Sequence, residues 1–187
     1  MNEVIEAIFR RRSIRKYTPR EVEAEKLDLL LQAGMAAPSA MNSQPWEFIV
    51  VTDKEKLGLL QRRLIFGHRN APAAIVVCGN PRIAKNAAGR LFWVQDCSAA
   101  AENILIAATS LGLGSVWIGI YPVRSFMKIV SEILFIPKSV TPLCVVYVGY
   151  PAEAKPPRTR YVEKRVFWQQ YKPRKRRVIG KNTKNSP

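Results

Sequence analysis

Apolar positions change their period along this chain, and each change marks an element. Val4, Ile5, Ile8 and Phe9 recur at helical spacing behind Asn2, a side chain suited to an N-cap, which predicts a short opening helix ending near Arg11. Leu27, Leu30 and Leu31 predict a second helix, with Gly34 and Pro38 near its end. The β-branched run Phe48-Ile49-Val50-Val51 predicts a buried strand, Asp53 caps a helix running through Arg63, and Ala74 to Cys78 predicts a second strand. A long helix with an alanine-rich face follows from Phe92 to Leu111. Ser115 to Ile118 and Leu143 to Tyr150 predict two more strands, separated by a helix near Val123 to Ile133.

Helices and strands alternate without any internal repeat, so an α+β fold or a three-layer sandwich around a mixed sheet is the expected architecture. A chain of 187 residues supports one substantial core, which argues for a single domain over 1–171. One segment breaks the pattern. Tyr161, Phe167, Trp168 and Tyr171 are interspersed with charge after the Pro156-Pro157 break, as expected of an arm that leaves the body from about residue 156 and buries its rings on a second subunit.

Composition narrows the function classes. Hydrophobic content of 48% is ordinary, and no run reaches the roughly 18 apolar residues that a membrane span requires. The start Met1-Asn2-Glu3 shows no basic region followed by an apolar one, so export is not expected and a cytoplasmic location is. Cys78, Cys97 and Cys144 are far apart, and two of them sit in apolar runs, as core thiols do. With His68 the only histidine, a histidine-based metal site is not expected. The formal charge of +16 is concentrated at one end, because residues 172–187 hold seven basic side chains and no acid. That composition predicts a solvated, disordered tail, with nucleic acid or an anionic surface as its alternative partner.

Two segments carry candidate chemistry. Arg11-Arg12-Ser13-Ile14-Arg15 supplies three guanidinium groups and a hydroxyl within five residues. In an extended loop Arg11, Ser13 and Arg15 point to one side, a pattern suited to a phosphate or a carbonyl-rich ring edge. Arg158 and Arg160 repeat the alternation. Pro38-Ser39-Ala40-Met41-Asn42-Ser43-Gln44-Pro45-Trp46 places small polar side chains and carboxamides between two prolines on a predicted connection. The glycines of Gly112-Leu113-Gly114-Ser115-Val116-Trp117-Ile118-Gly119 end a helix and enter a strand, the reverse of a dinucleotide-binding fingerprint, and no Walker lysine motif is present.

Arg11 to Tyr17, Pro38 to Trp46, Gln95-Asp96-Cys97-Ser98-Ala99-Ala100, Gly112 to Gly119 and Val148-Gly149-Tyr150-Pro151 together resemble the motifs of the nitroreductase family, in family order and covering residues 4 to about 168. The resemblance implies a three-layer sandwich around a mixed, mainly antiparallel sheet, an intertwined homodimer, and flavin mononucleotide (FMN) bound at the dimer interface. It implies that Arg11, Arg12, Ser13 and Arg15 contact the FMN phosphate, ribityl chain and N1/C2 ring edge. Pro38, Ser39, Ala40 and Met41 of the other subunit line the ring, with Asn42 and Gln44 as nearby polar partners. Ile118, Gly119 and Ile120 pass its face and N5 side, and Arg158 and Arg160 close on the phosphate.

The implied activity is hydride transfer from NAD(P)H through flavin to nitroaromatic, quinone or related acceptors by a ping-pong route. A fixed cation near N1, assigned to Arg15, and a backbone N–H at Gly119 or Ile120 carry the catalytic roles. Two departures stand out: the C-terminal region is unusually basic, and the chain lacks the long insertion that covers the flavin in larger members. The alternatives are a different flavin reaction on the same fold (flavin fragmentation, dehalogenation or ring oxidation) and a basic nucleic-acid or membrane-surface binder acting through the tail.

Overall fold

In a computed structural model the chain is described over residues 2–66 and 70–171. His68 and the basic tail from Lys172 lie outside the described residues. The helices are α1 (Glu3–Arg10), α2 (Ala24–Met35), α3 (Lys54–Arg63), α4 (Ala88–Leu91), α5 (Trp93–Ser110) and α6 (Arg124–Leu134). The strands are β1 (Trp46–Val51), β2 (Ala73–Gly79), β3 (Gly114–Gly119) and β4 (Thr141–Gly149). Local chemistry explains several boundaries. Asn2 accepts the Val4 N–H at the start of α1, Asp53 accepts the Lys56 N–H at the start of α3, and Gly112 takes φ +73° just after α5 ends.

The strands form one sheet in the order β1-β2-β4-β3, and all three strand pairs are antiparallel. A parallel bridge between Ser13 and Ser115 adds the arginine-bearing segment to the outer edge of β3, which makes the sheet mixed at that point. Helices cover both faces. Ile75 and Val77 of β2, with Cys144, Val146 and Val148 of β4, pack with Leu30, Ala100, Ala101 and Ile104 from α2 and α5. The intervening Ala74, Val76 and Cys78, with Val145 and Tyr147, pack with Leu57, Leu60, Val130 and Ile133 from α3 and α6. Strand periodicity thus sends alternate residues of β2 into two different cores, and this is why every residue of that strand is buried. Truncating Ile75 to Ala would remove about 2–5 kcal/mol of stability.

The architecture is therefore the expected three-layer α+β sandwich. Its core holds all three cysteines. Burial pushes the Cys78 and Cys97 thiols up to about 12 and Cys144 well above the ordinary thiol range, so the three stay protonated at neutral pH. No helix among the described residues is long and apolar enough to cross a membrane.

Candidate functional site

The arginine segment is fixed by its backbone and by Ile14. The Ile14 N–H donates to the Ser115 carbonyl at 2.9 Å, and its side chain is buried against Gly114, where a Cβ would come within 2.7 Å of Ile14. Only glycine at 114 admits this approach. Tyr17 closes the segment, its hydroxyl donating to the Ile14 carbonyl at 2.7 Å. Lys155 Nζ donates to the Ser13 carbonyl at 2.7 Å, and Glu153 Oε1 accepts the Arg15 and Lys16 N–H groups. These contacts, the Arg15 N–H first, hold the Glu153 carboxyl below its ordinary range.

With the backbone pinned, the guanidiniums gather. Arg12 donates to the Pro156 carbonyl, and the Arg158 N–H donates to the Phe9 carbonyl at 3.0 Å, which brings the second arginine pair beside the first. Repulsion by Arg160, then partial desolvation, then Arg12 and Arg11, lowers the Arg158 pKa from its ordinary value. Arg11 reaches Glu102 of α5 at 3.4 Å, and the cluster otherwise stays in excess of nearby acid. Beside it lies a cavity of about 530 Å³ lined by Ile8, Phe9, Arg11, Arg158, Thr159 and Arg160. Mutually repelling guanidiniums around a cavity are the donor set of a phosphate site, so the residues present fit the phosphate end of FMN. Arg15 does not line this cavity. It is exposed, with its Nη1 directed back to the Ser13 carbonyl at 3.4 Å.

Gly119 sits at the far end of β3, four residues from Ser115 and about 13 Å along the strand. It faces Cys144 in the register, while the Ile120 N–H donates to the Leu143 carbonyl at 3.0 Å. Antiparallel alternation then turns the Gly119 N–H toward the outer edge of the sheet, the same edge on which Ser115 receives Ile14. Nothing lies within 4 Å of where a Gly119 Cβ would be. Ile120, expected as an alternative donor, has its N–H engaged and its side chain fully buried. The buried Ile118 side chain faces the α3/α6 core. Gly119 alone of the three presents a backbone donor to the open edge.

The Pro38 to Pro45 loop is built differently. Met41, Asn42 and Gln44 all hold positive φ, at 49°, 53° and 48°, a conformation that costs non-glycine residues energy and persists only where surroundings impose it. Asp96 imposes it. Buried in the first turn of α5, it accepts the Ala40 N–H at 2.9 Å on Oδ1 and the Ser43 hydroxyl at 2.9 Å on Oδ2. Ser39 Oγ accepts the Gln44 N–H, Gln44 Nε2 donates to Asn42 Oδ1, and Asn86 donates to the Met41 carbonyl. Met41 is left 80% exposed. Asp96 was visible in sequence only as part of a motif. Its role was not, because its partners lie more than fifty residues away.

Among the described residues no hydrogen bond or ion pair joins the two groups directly. Asp96 and Glu102, which anchor them, are six residues apart on α5, about 9 Å along the axis and roughly 120° around it. Loop and arginine cluster therefore occupy different faces of one helix. A larger cavity, about 870 Å³, lies elsewhere, between α2, α3 and β1, and its lining includes Val22, Leu27, Leu31 and Leu57 without a cluster of cations.

The fold is a three-layer α+β sandwich with an arginine-lined cavity, and comparison with known proteins places it in a family. The model of the Nitroreductase family matches residues 8–66 and 61–150, and the chain belongs to that family. It is 48% identical over 157 residues, 83% of this chain and 89% of the relative, to an Archaeoglobus fulgidus protein provisionally named NADH dehydrogenase/NAD(P)H nitroreductase. It is 35% identical to a Bacillus subtilis FMN reductase [NAD(P)H], over 84% of this chain and 70% of the relative. Among solved structures, an FMN-dependent nitroreductase from Clostridium difficile superposes with a TM-score of 0.79 at 38% identity, over 89% of this chain and 99% of that one.

Proposed function

We propose that this chain takes hydride from NAD(P)H onto FMN and passes it to nitroaromatic, quinone or similar electrophilic acceptors, reductant and acceptor using one open face in turn. Its place among FMN-dependent NAD(P)H oxidoreductases is supported by family membership and by relatives named FMN reductase and NAD(P)H nitroreductase. The observation that carries the reading is the excess of guanidinium groups around the cavity, with Arg158 held down chiefly by repulsion from Arg160.

FMN, when bound, supplies a ring that carries two electrons between donor and acceptor. Arg11, Arg12, Arg158 and Arg160 hold its phosphate, and Ser13 lies beside the ribityl chain. Arg15, the remaining arginine of the 11–15 segment, is the cation assigned to the N1/C2 edge, where negative charge collects on reduction. Gly119 offers its N–H toward the ring's N5 side. Pro38, Ser39, Ala40, Met41, Asn42 and Gln44, remote from the cluster of their own chain, line the ring bound by a second copy.

A homodimer follows from that division. Val4, Ile5 and Ile8 leave an apolar face of α1 exposed, and Tyr161, Trp168 and Tyr171 of the arm are each more than 70% exposed in one protomer. The three free thiols suit a reducing, cytoplasmic setting.

The decisive experiment is spectroscopic. Purified protein should carry, or take up, stoichiometric FMN, lose its flavin absorbance on adding NADH or NADPH under nitrogen, and regain it with a nitroaromatic or quinone. Colourless protein that ignores added FMN would refute the reading. Arg15→Ala should retain flavin with weaker affinity and lower its midpoint potential by on the order of 30 mV; an unshifted potential removes Arg15 from its role. Chain terminated after Arg160 should sediment as a monomer, while chain terminated after Tyr171 stays dimeric. Dimers from both would count against the arm.

A further inference from the structure

We infer that Arg82, Lys85 and Arg90 form a cationic rim that selects a nicotinamide dinucleotide carrying a 2′-phosphate, NADPH over NADH. The inference rests on the oxidoreductase reading above. The segment from Asn80 to Leu91 is fastened onto the strained loop: the Asn80 N–H donates to the Pro45 carbonyl at 2.7 Å, the Lys85 N–H to the Ser43 carbonyl at 3.1 Å, and Asn86 Nδ2 to the Met41 carbonyl at 2.8 Å. Gly89 lies against the loop, where a Cβ would make ordinary contact with Ser43 Cβ at 3.4 Å, and against Ala84 of its own segment, whose Cβ would be only 2.3 Å away. The backbone that carries the three cations therefore has a fixed position over the loop.

None of the three cations forms an ion pair among the described residues. All three are exposed, and Lys54, Arg124 and Lys138 are likewise exposed and in no ion pair among the described residues; what distinguishes Arg82, Lys85 and Arg90 is their place on a segment fastened to the loop. Two carboxylates serve the anchors of this segment and loop: Glu47 accepts from Asn80 Nδ2 at 3.0 Å, and Asp96 accepts from Ala40 and Ser43; neither is in an ion pair with the three cations. Next to the rim, Met41, Leu91 and Phe92 expose apolar surface, and Trp93 meets Tyr121 edge to face at 4.9 Å.

Apolar surface beside three unpaired cations matches a ligand with flat rings at one end and a dianion at the other. The pyrophosphate is common to both reduced dinucleotides, so only the 2′-phosphate, which carries about 1.5–2 negative charges near neutral pH, separates them. The phosphate of FMN is assigned to the arginine cluster on another face of α5 and does not compete for the rim.

The test compares FMN-loaded wild type with the triple variant R82A/K85A/R90A. NADPH-dependent kcat/KM should fall about 10-fold or more, through KM with kcat within about 2-fold, while NADH-dependent kcat/KM falls less than about 3-fold. Calorimetry on flavin-free protein gives a second readout. Adenosine 2′,5′-diphosphate should bind wild type more tightly than adenosine 5′-monophosphate, a difference lost in the triple variant and largely retained in R82K/R90K. Equal losses with both dinucleotides, or none with either, would overturn the inference and leave the oxidoreductase reading standing. If neither dinucleotide reduces the wild-type flavin, that reading fails and the inference falls with it.

Discussion

The arginine cluster and the Pro38 to Pro45 loop, the two parts of the proposed flavin site, are built by opposite means. The cluster is a matter of side chains. Its guanidiniums are presented by segments with ordinary backbone and kept close by main-chain bonds such as Arg158 to Phe9. The loop is a matter of backbone. Three residues at positive φ are held there by one buried carboxylate and a few amide contacts. Charge repulsion in the first is relieved by a bound anion, so its defects should show as lost affinity; strain in the second is balanced internally, so its defects should show as lost stability.

The sharpest way to break this contrast is Asp96→Ala. It would leave the Ala40 N–H and the Ser43 hydroxyl without their acceptor, in a place where Ser43 is wholly buried. A loss of about 3 kcal/mol is expected, enough to lower Tm by roughly 6–12 °C for a chain of this size. Denaturant titration of flavin-free protein measures it. A loss under about 1 kcal/mol would mean that the loop is held by something other than Asp96.

Arg160→Ala tests the other half with the opposite sign. Removing the largest source of repulsion on Arg158 should leave flavin-free protein as stable as wild type or slightly more so, while FMN affinity falls about 10-fold. Thermal melts with and without FMN read both quantities. Should stability and affinity fall together, the cluster is structural and not an anion site.

The same contrast explains what could be read from residue types. The fully buried β2 and β4 were legible because continuous apolar runs bounded by turn residues have few other homes in a sandwich with both faces covered. Long α5 was legible from its alanine-rich face, and its start and end differ from the sequence reading by one residue each. Arginine spacing suggested an anion, and the structure brings Arg158 and Arg160 beside Arg11 and Arg12. The loop conformation was not legible. No glycine marks positions 41, 42 and 44, and a backbone N–H such as that of Ala40 looks the same in every sequence. Ile120 illustrates a finer limit, because which N–H groups face the open edge depends on strand register, fixed by β4 rather than by residues near Gly119.

A third region sharpens the comparison, because there the same residue types are neutralised within the protein. Tyr150 donates to both carboxylate oxygens of Glu23, at 2.7 and 2.9 Å, receives Lys26 Nζ at 2.7 Å, and lies under the Arg20 guanidinium at 3.9 Å. The Tyr150 hydroxyl first, then the Glu23 backbone N–H and the Arg20 guanidinium that also bonds this carboxylate, lower the Glu23 carboxyl from 4.5 to about 2. A depressed folded-state pKa means that the stabilisation is complete above about 4.5 and is lost as the pH falls through about 2. Tyr150→Phe keeps the ring under Arg20 but removes the largest cause of the shift. Its Tm should lie slightly below that of wild type at pH 7, with the gap closing as the pH falls from about 4.5 toward 2, and FMN affinity should change little because the arginine cluster is untouched. A gap that stayed constant over that range would show that the hydroxyl acts through packing rather than through the charge on Glu23.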